Sequence, residues 1–144
     1  MNPSRDRPPR FIDLGGIILW HVEHQPTSAL VVSIDVATRE TLRWIVGEFV
    51  DEVLVAVSWT DALTIAQRKQ LQLAVLDFDG LNAPGRRWLV DVLHLRAHAS
   101  IVAVGTLPGL QNAAVVGVGL GVLKPINSSS LIGQIERAVT GPSG

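Results

Sequence analysis

A chain of 144 residues with a formal net charge of −1 fits a single domain around one core, and its charge balance offers no basis for a nucleic-acid partner. Hydrophobic residues make up 47% and charged residues 17%, a balance that predicts strands buried on both faces, as in a parallel sheet covered by helices. With no cysteine, a disulfide framework and a thiolate metal site are excluded.

Residues 1–27 read as an N-terminal extension ahead of a domain over 28–141. Arg5, Arg7 and Arg10 among Pro3, Pro8 and Pro9 suit a flexible leader better than a nucleic-acid arm. Phe11, Ile12, Leu14 and the run Ile17 to Trp20 suit an extra strand or helix packed on the domain, or a contact between two copies in a homodimer. Leu14 to Trp20 is too short to cross a bilayer and is followed by His21, Glu23 and His24, so no membrane partner is expected and the cytoplasm is the default location.

The first strand is expected from Ala29 to Ile34, a β-branched run followed by Asp35. In the next segment Leu42, Ile45, Val46 and Phe49 recur at helical spacing. Val53 to Val57 gives a second strand, and Ser58 or Thr60 caps a helix with Ala62, Ile65 and Ala66 on one face. A third apolar run, Leu71 to Leu76, ends at Asp77; beyond a loop with Asn82, Pro84 and Gly85 comes a helix burying Leu89, Val92 and Leu93. Ile101 to Val104 is the fourth strand, and the Gly-rich segment Pro108 to Gly119 carries only a weak helical pattern. Leu120 to Leu123 makes the fifth strand, and Asn127 or a neighbouring serine caps a last helix with Leu131, Ile132, Ile135 and Val139 inward.

Strands alternating with helices in this way predict an α/β fold, a (βα)5 doubly wound five-stranded parallel sheet, because parallel neighbours need helical crossovers. Such sheets carry their working site at the carboxyl ends of the strands. The residues falling there are Ser33 to Asp35, Ser58, Asp77 to Asp79, Gly105, Thr106 and Lys124.

At those positions residues 29–140 resemble the receiver domain of two-component response regulators, a flavodoxin-like fold. Asp77, after Ala74-Val75-Leu76, stands where that family has its phospho-accepting aspartate; Gly85 follows where the family commonly has glycine, and Lys124-Pro125 matches its Lys-Pro signature. The resemblance implies a carboxylate that attacks phosphorus, a Mg²⁺ ion held by further carboxylates, and phosphoryl binding by Lys124 and by Thr106 or the preceding Gly105. It also implies Pro125 in the cis form. Asp35, Asp77 and Asp79 are the candidate metal ligands.

The departures are chemical. Two adjacent acids are replaced by Ser33-Ile34, with Asp35 displaced by one position, so weak or absent Mg²⁺ binding is expected. The family's aromatic switch position falls at Gly121, which has no ring to swing. The expectation is therefore a stand-alone receiver-like domain of pseudo-receiver type, not an enzyme, acting by protein–protein contact through the surface of its fourth helix, fifth strand and fifth helix. Its partners would be a histidine kinase or phosphotransfer protein, or another signalling protein.

Plainer roles compete for the same residues. Asp77 and Asp79-Gly80 suit turns, Ser58 a helix cap, Lys124 a solvated surface, and Trp44, Trp59 and Trp88 packing or partner contact. Two rival functions also arise. Ala74 to Gly80 is similar to the first motif of haloacid dehalogenase-like phosphatases, although Leu81 replaces its usual threonine and the later acidic pair is missing. A flavodoxin-like small-ligand-binding module is the other, although Gly117 to Gly121 precedes a strand and so lacks the context of a dinucleotide loop.

Overall fold

The structure, a computed structural model, describes residues 27–80, 85–94 and 98–139 in full, and the backbone alone of 10–14, 17–21, 83, 84 and 140. In the extension, β1 (Arg10–Leu14) and β2 (Ile17–His21) pair antiparallel, with Arg10 opposite His21 and Leu14 opposite Ile17. The other residues of the extension, apart from Thr27, lie outside the described residues.

The domain then alternates strictly. It runs β3 (Ser28–Val32), α1 (Val36–Val46), β4 (Glu52–Ala56), α2 (Trp59–Arg68), β5 (Leu73–Asp77), α3 (Ala83–Val92), β6 (Ser100–Gly105), α4 (Leu107–Val115), β7 (Gly121–Leu123) and α5 (Ser128–Thr140). The five strands β3 to β7 form one sheet in the order β4-β3-β5-β6-β7, with every neighbouring pair parallel. The expected doubly wound parallel sheet is therefore present. Its order reverses between β3 and β5, and at such a reversal neighbouring crossover connections leave on opposite faces, opening a crevice at the strand ends.

Strand periodicity divides the core. Leu30, Val32, Ala74 and Leu76 point to one face, where they meet Ala62, Ala66, Leu89 and Leu93. Ala29, Val31, Leu73 and Val75 point to the other, under Leu42, Val46, Leu131 and Ile135. Because β3 and β5 are central and covered on both sides, they read as continuous apolar runs without polar alternation. Phe78, just past β5, is fully buried, a contribution of roughly 1.5–3 kcal/mol from removing its side chain from water.

Capping explains where the helices start. Asp35 accepts from the Thr38 amide at 2.8 Å to open α1, Ser58 from the Asp61 amide at 3.1 Å to open α2, and Asn127 from the Ser130 amide at 3.1 Å at the head of α5. The caps expected at Ser58 and Asn127 are thus in place.

Several boundaries differ from the sequence expectation. The first and second strands of the domain stop at Val32 and Ala56, leaving Ile34 and Val57 exposed in the loops, because the ladder ends where its partners turn away. Val139 was expected inward but is half exposed, since the inner stripe of α5 runs through Leu131 and Ile135. The weakly patterned segment is a regular nine-residue helix, α4, whose buried residues are the small Gly109 and Ala113. No helix among the described residues is long and apolar enough to cross a membrane.

Candidate functional site

Asp77 ends β5 at the carboxyl rim of the sheet, and only 1% of its surface is exposed. A buried carboxylate survives in its charged form only with partners, and it has three donors. Ser33 Oγ donates to Oδ2 at 2.7 Å, Lys124 Nζ to the same oxygen at 2.9 Å, and the Asp79 amide to Oδ1 at 3.0 Å. Register brings them together. Val32 pairs with Leu76, so the next residue on each strand, Ser33 and Asp77, meet at the rim. Lys124 directly follows β7, and its amide donates to Gly105 O at 2.9 Å, which ties the lysine to the end of β6.

A second carboxylate completes the cluster. Asp79 accepts from the Thr106 amide at 2.9 Å and the Thr106 hydroxyl at 2.9 Å, and its Oδ2 lies 3.1 Å from Lys124 Nζ. Burial raises the Asp79 carboxyl, but the Thr106 amide and hydroxyl and the Lys124 ammonium outweigh it, so its pKa falls below the ordinary carboxylate value. For Lys124, burial works against the charge, yet hydrogen bonds to Asp77 and Asp79 prevail and its pKa rises above that of an ordinary lysine. One ammonium therefore bridges two carboxylates.

Whether a divalent cation suits this pocket is decided by its donor set. Mg²⁺ requires hard oxygen ligands in a near-octahedral array. The Ile34 side chain supplies none, and the Ser33 hydroxyl is spent on Asp77. Asp35, a candidate ligand, instead caps α1: its Oδ2 accepts from both the hydroxyl and the amide of Thr38, which lower its pKa. Asp77 and Asp79 are occupied by hydrogen bonds and by an ammonium. Among the described residues no group of three His, Asp or Glu side chains could hold a metal ion. Among the described residues, no third carboxylate joins Asp77 and Asp79 as a side-chain ligand for Mg²⁺.

The remaining expected site residues fall as follows. Thr106, not Gly105, turns its side chain into the cluster, and it reaches Asp79; Gly105 contributes closeness, since a Cβ there would lie 3.2 Å from Asp79 Oδ1. The Lys124–Pro125 peptide bond is cis. Gly85 sits under the indole of Trp59, where a Cβ would come within 2.7 Å of the ring, and that ring packs edge-on against Phe78 at 6.4 Å. At Gly121, Leu110 of α4 covers the place of the absent aromatic ring, 3.1 Å from where a Cβ would be. Trp44 and Trp88 are exposed and away from the core. Sequence reasoning missed the bond from Ser33 and the whole Asp79–Thr106 contact. The only hint was the hydroxyl type of each residue at a strand end.

The fold has known counterparts. No protein-family model and no curated protein matches the sequence, so the likeness is one of structure. The chain is similar to the chemotaxis response regulator CheY4 of Vibrio cholerae, with a TM-score of 0.65 and 18% identity over 79% of this chain and 99% of that one. A CheY-like receiver domain protein from Methanospirillum hungatei superposes with a TM-score of 0.65 at 21% identity, covering 80% of this chain and 94% of its own. A putative pilus assembly-related protein from Burkholderia pseudomallei does so at 0.65 and 18% identity, covering 82% and 92%. The chain has the fold of response-regulator receiver domains.

Proposed function

We propose that this receiver-fold chain is a signalling module that works by protein–protein contact, with phosphoryl transfer to Asp77 weak or absent. The observation that carries the reading is Lys124 Nζ, 2.9 Å from Asp77 and 3.1 Å from Asp79. An in-line attack on phosphorus by Asp77 brings three more anionic oxygens to the rim, and their charge must be met by cations. Here the lysine is already committed to two carboxylates, and the donor set for a metal is incomplete.

The docking surface is the face of α4, β7 and α5. Leu107, Val115, Leu123 and Val139 lie exposed on those three elements, an apolar set suited to a signalling partner. Should phosphoryl transfer occur, a histidine kinase or phosphotransfer protein would be the donor. No catalytic turnover is assigned to the chain itself.

Incubation with a small phosphodonor and Mg²⁺ tests the reading. Little or no acid-labile phosphate is expected. Robust labelling that disappears in Asp77→Asn would overturn it.

A further inference from the structure

The carboxylate of Asp79 lies in a cradle made by the loop after β6 and the end of β7. Three donors converge on it and no acceptor does. The Thr106 amide reaches Oδ2 at 2.9 Å and Oδ1 at 3.2 Å, the Thr106 hydroxyl reaches Oδ1 at 2.9 Å, and the Lys124 ammonium stands 3.1 Å from Oδ2. Convergent amide, hydroxyl and ammonium donors form a recognition set for an oxyanion.

The floor of the cradle is shaped to the same group. Gly105 and Gly109 both lie against Asp79 Oδ1, and a Cβ added at Gly109 would overlap that oxygen. Thr106 immediately precedes α4 but makes no side-chain cap bond to the helix, so its hydroxyl is given to Asp79 instead. Space and donors thus agree on one occupant.

We propose that Asp79 is a built-in ligand of an oxyanion cradle formed by Thr106, Lys124, Gly105 and Gly109, and that it holds the loop after β6 in the position a bound phosphoryl group would impose. The inference deepens the proposed function and rests on that reading for its consequence: a surface for partners that is fixed without modification. Lys124, with Thr106 or Gly105, is what the resemblance assigns to phosphoryl binding, and in this chain a side chain two residues beyond Asp77 bonds both Thr106 and Lys124. Removing that side chain leaves a vacant site for a free tetrahedral oxyanion.

The test is a titration with inorganic phosphate, read at the backbone amide of Thr106 by NMR in the full chain. In the wild type the resonance should stay in place. In Asp79→Ala it should start displaced and return saturably toward the wild-type position as phosphate is added, while chloride at matched ionic strength leaves it unmoved. Phosphate acting equally on both proteins, or on neither, would overturn the proposal.

Asp79→Asn guards against a misfolded alanine variant, because it is nearly isosteric and removes only the charge. Its Thr106 amide should exchange with solvent about tenfold faster than in the wild type, since charge-assisted hydrogen bonds are roughly twice as strong as neutral ones. Equal exchange rates would count against a charged occupant. The readout is Thr106 and not phosphate incorporation, so strong labelling of Asp77 would end the proposed function while the cradle stands or falls on its own titration.

Discussion

Ser33 Oγ donates to Asp77 Oδ2 at 2.7 Å, both residues fully or almost fully buried, so a hydroxyl supports the central carboxylate where the receiver pattern has an acid. The exchange alters the sign of the neighbourhood. A second carboxylate there would repel Asp77 unless a cation intervened, whereas a serine stabilises it directly.

Ser33→Ala should therefore destabilise the fold by about 2 kcal/mol, the usual cost of withdrawing one hydrogen bond from a buried charged group. Lys124→Ala should cost about 3 kcal/mol, because it takes the ammonium away from an almost fully buried carboxyl group. Chemical denaturation of the two variants measures both, and the lysine variant should be the less stable.

Restoring the acids should restore a need for metal. In Ser33→Asp/Ile34→Asp, carboxylates crowd around Asp77, and the melting temperature should fall without Mg²⁺ and recover as Mg²⁺ is added. The wild-type melting temperature should not respond. A wild-type response of equal size would contradict the account of the donor set.

The Asp79–Thr106 contact has a defined pH window. Because the pKa of Asp79 is lowered on folding, its contribution is complete above the ordinary carboxylate value and is lost as pH falls through the lowered one. Lys124 is raised, so its contribution is complete below the ordinary lysine value and is lost as pH rises through the raised one. The Thr106 amide resonance should be flat through the neutral range and move only in acid below the ordinary aspartate value or in strong alkali. An NMR titration that finds the acid midpoint at or above the ordinary aspartate value would refute this.

Gly85→Val should destabilise by about 1–3 kcal/mol, the usual penalty for overpacking, because its Cβ has no room beneath the Trp59 ring. Calorimetry gives the loss. A change in Trp59 emission should accompany it, measured with the other three tryptophans, Trp20, Trp44 and Trp88, replaced by Phe.

Much of this was legible in the sequence, for reasons that can be named. Asp77 and Lys124-Pro125 stand at the ends of apolar runs, and a parallel sheet brings all such ends to one rim; that the two would meet there was implied by the resemblance to receiver domains, since the runs themselves do not give the order of the strands. The caps at Ser58 and Asn127 have local chemistry within three residues. Helix α4 was faint because its buried residues are Gly109 and Ala113, too small to mark a hydrophobic stripe, while Leu107 faces outward. The Asp79–Thr106 bond spans 27 positions and depends on space left by two glycines. No spacing rule encodes that combination. The cap at Asp35 was not legible, because a carboxylate after a strand suits a ligand or a helix cap equally until Thr38 is seen to bond it.

Leu110 seated on Gly121 couples α4 to the edge strand by shape. There is no ring at that position to flip. A shift of α4, which begins directly after Thr106, would carry Leu110 across the strand. A partner resting on that helix would sense displacement of a whole element, and a bulky residue at position 121 would jam the motion before it reached the surface.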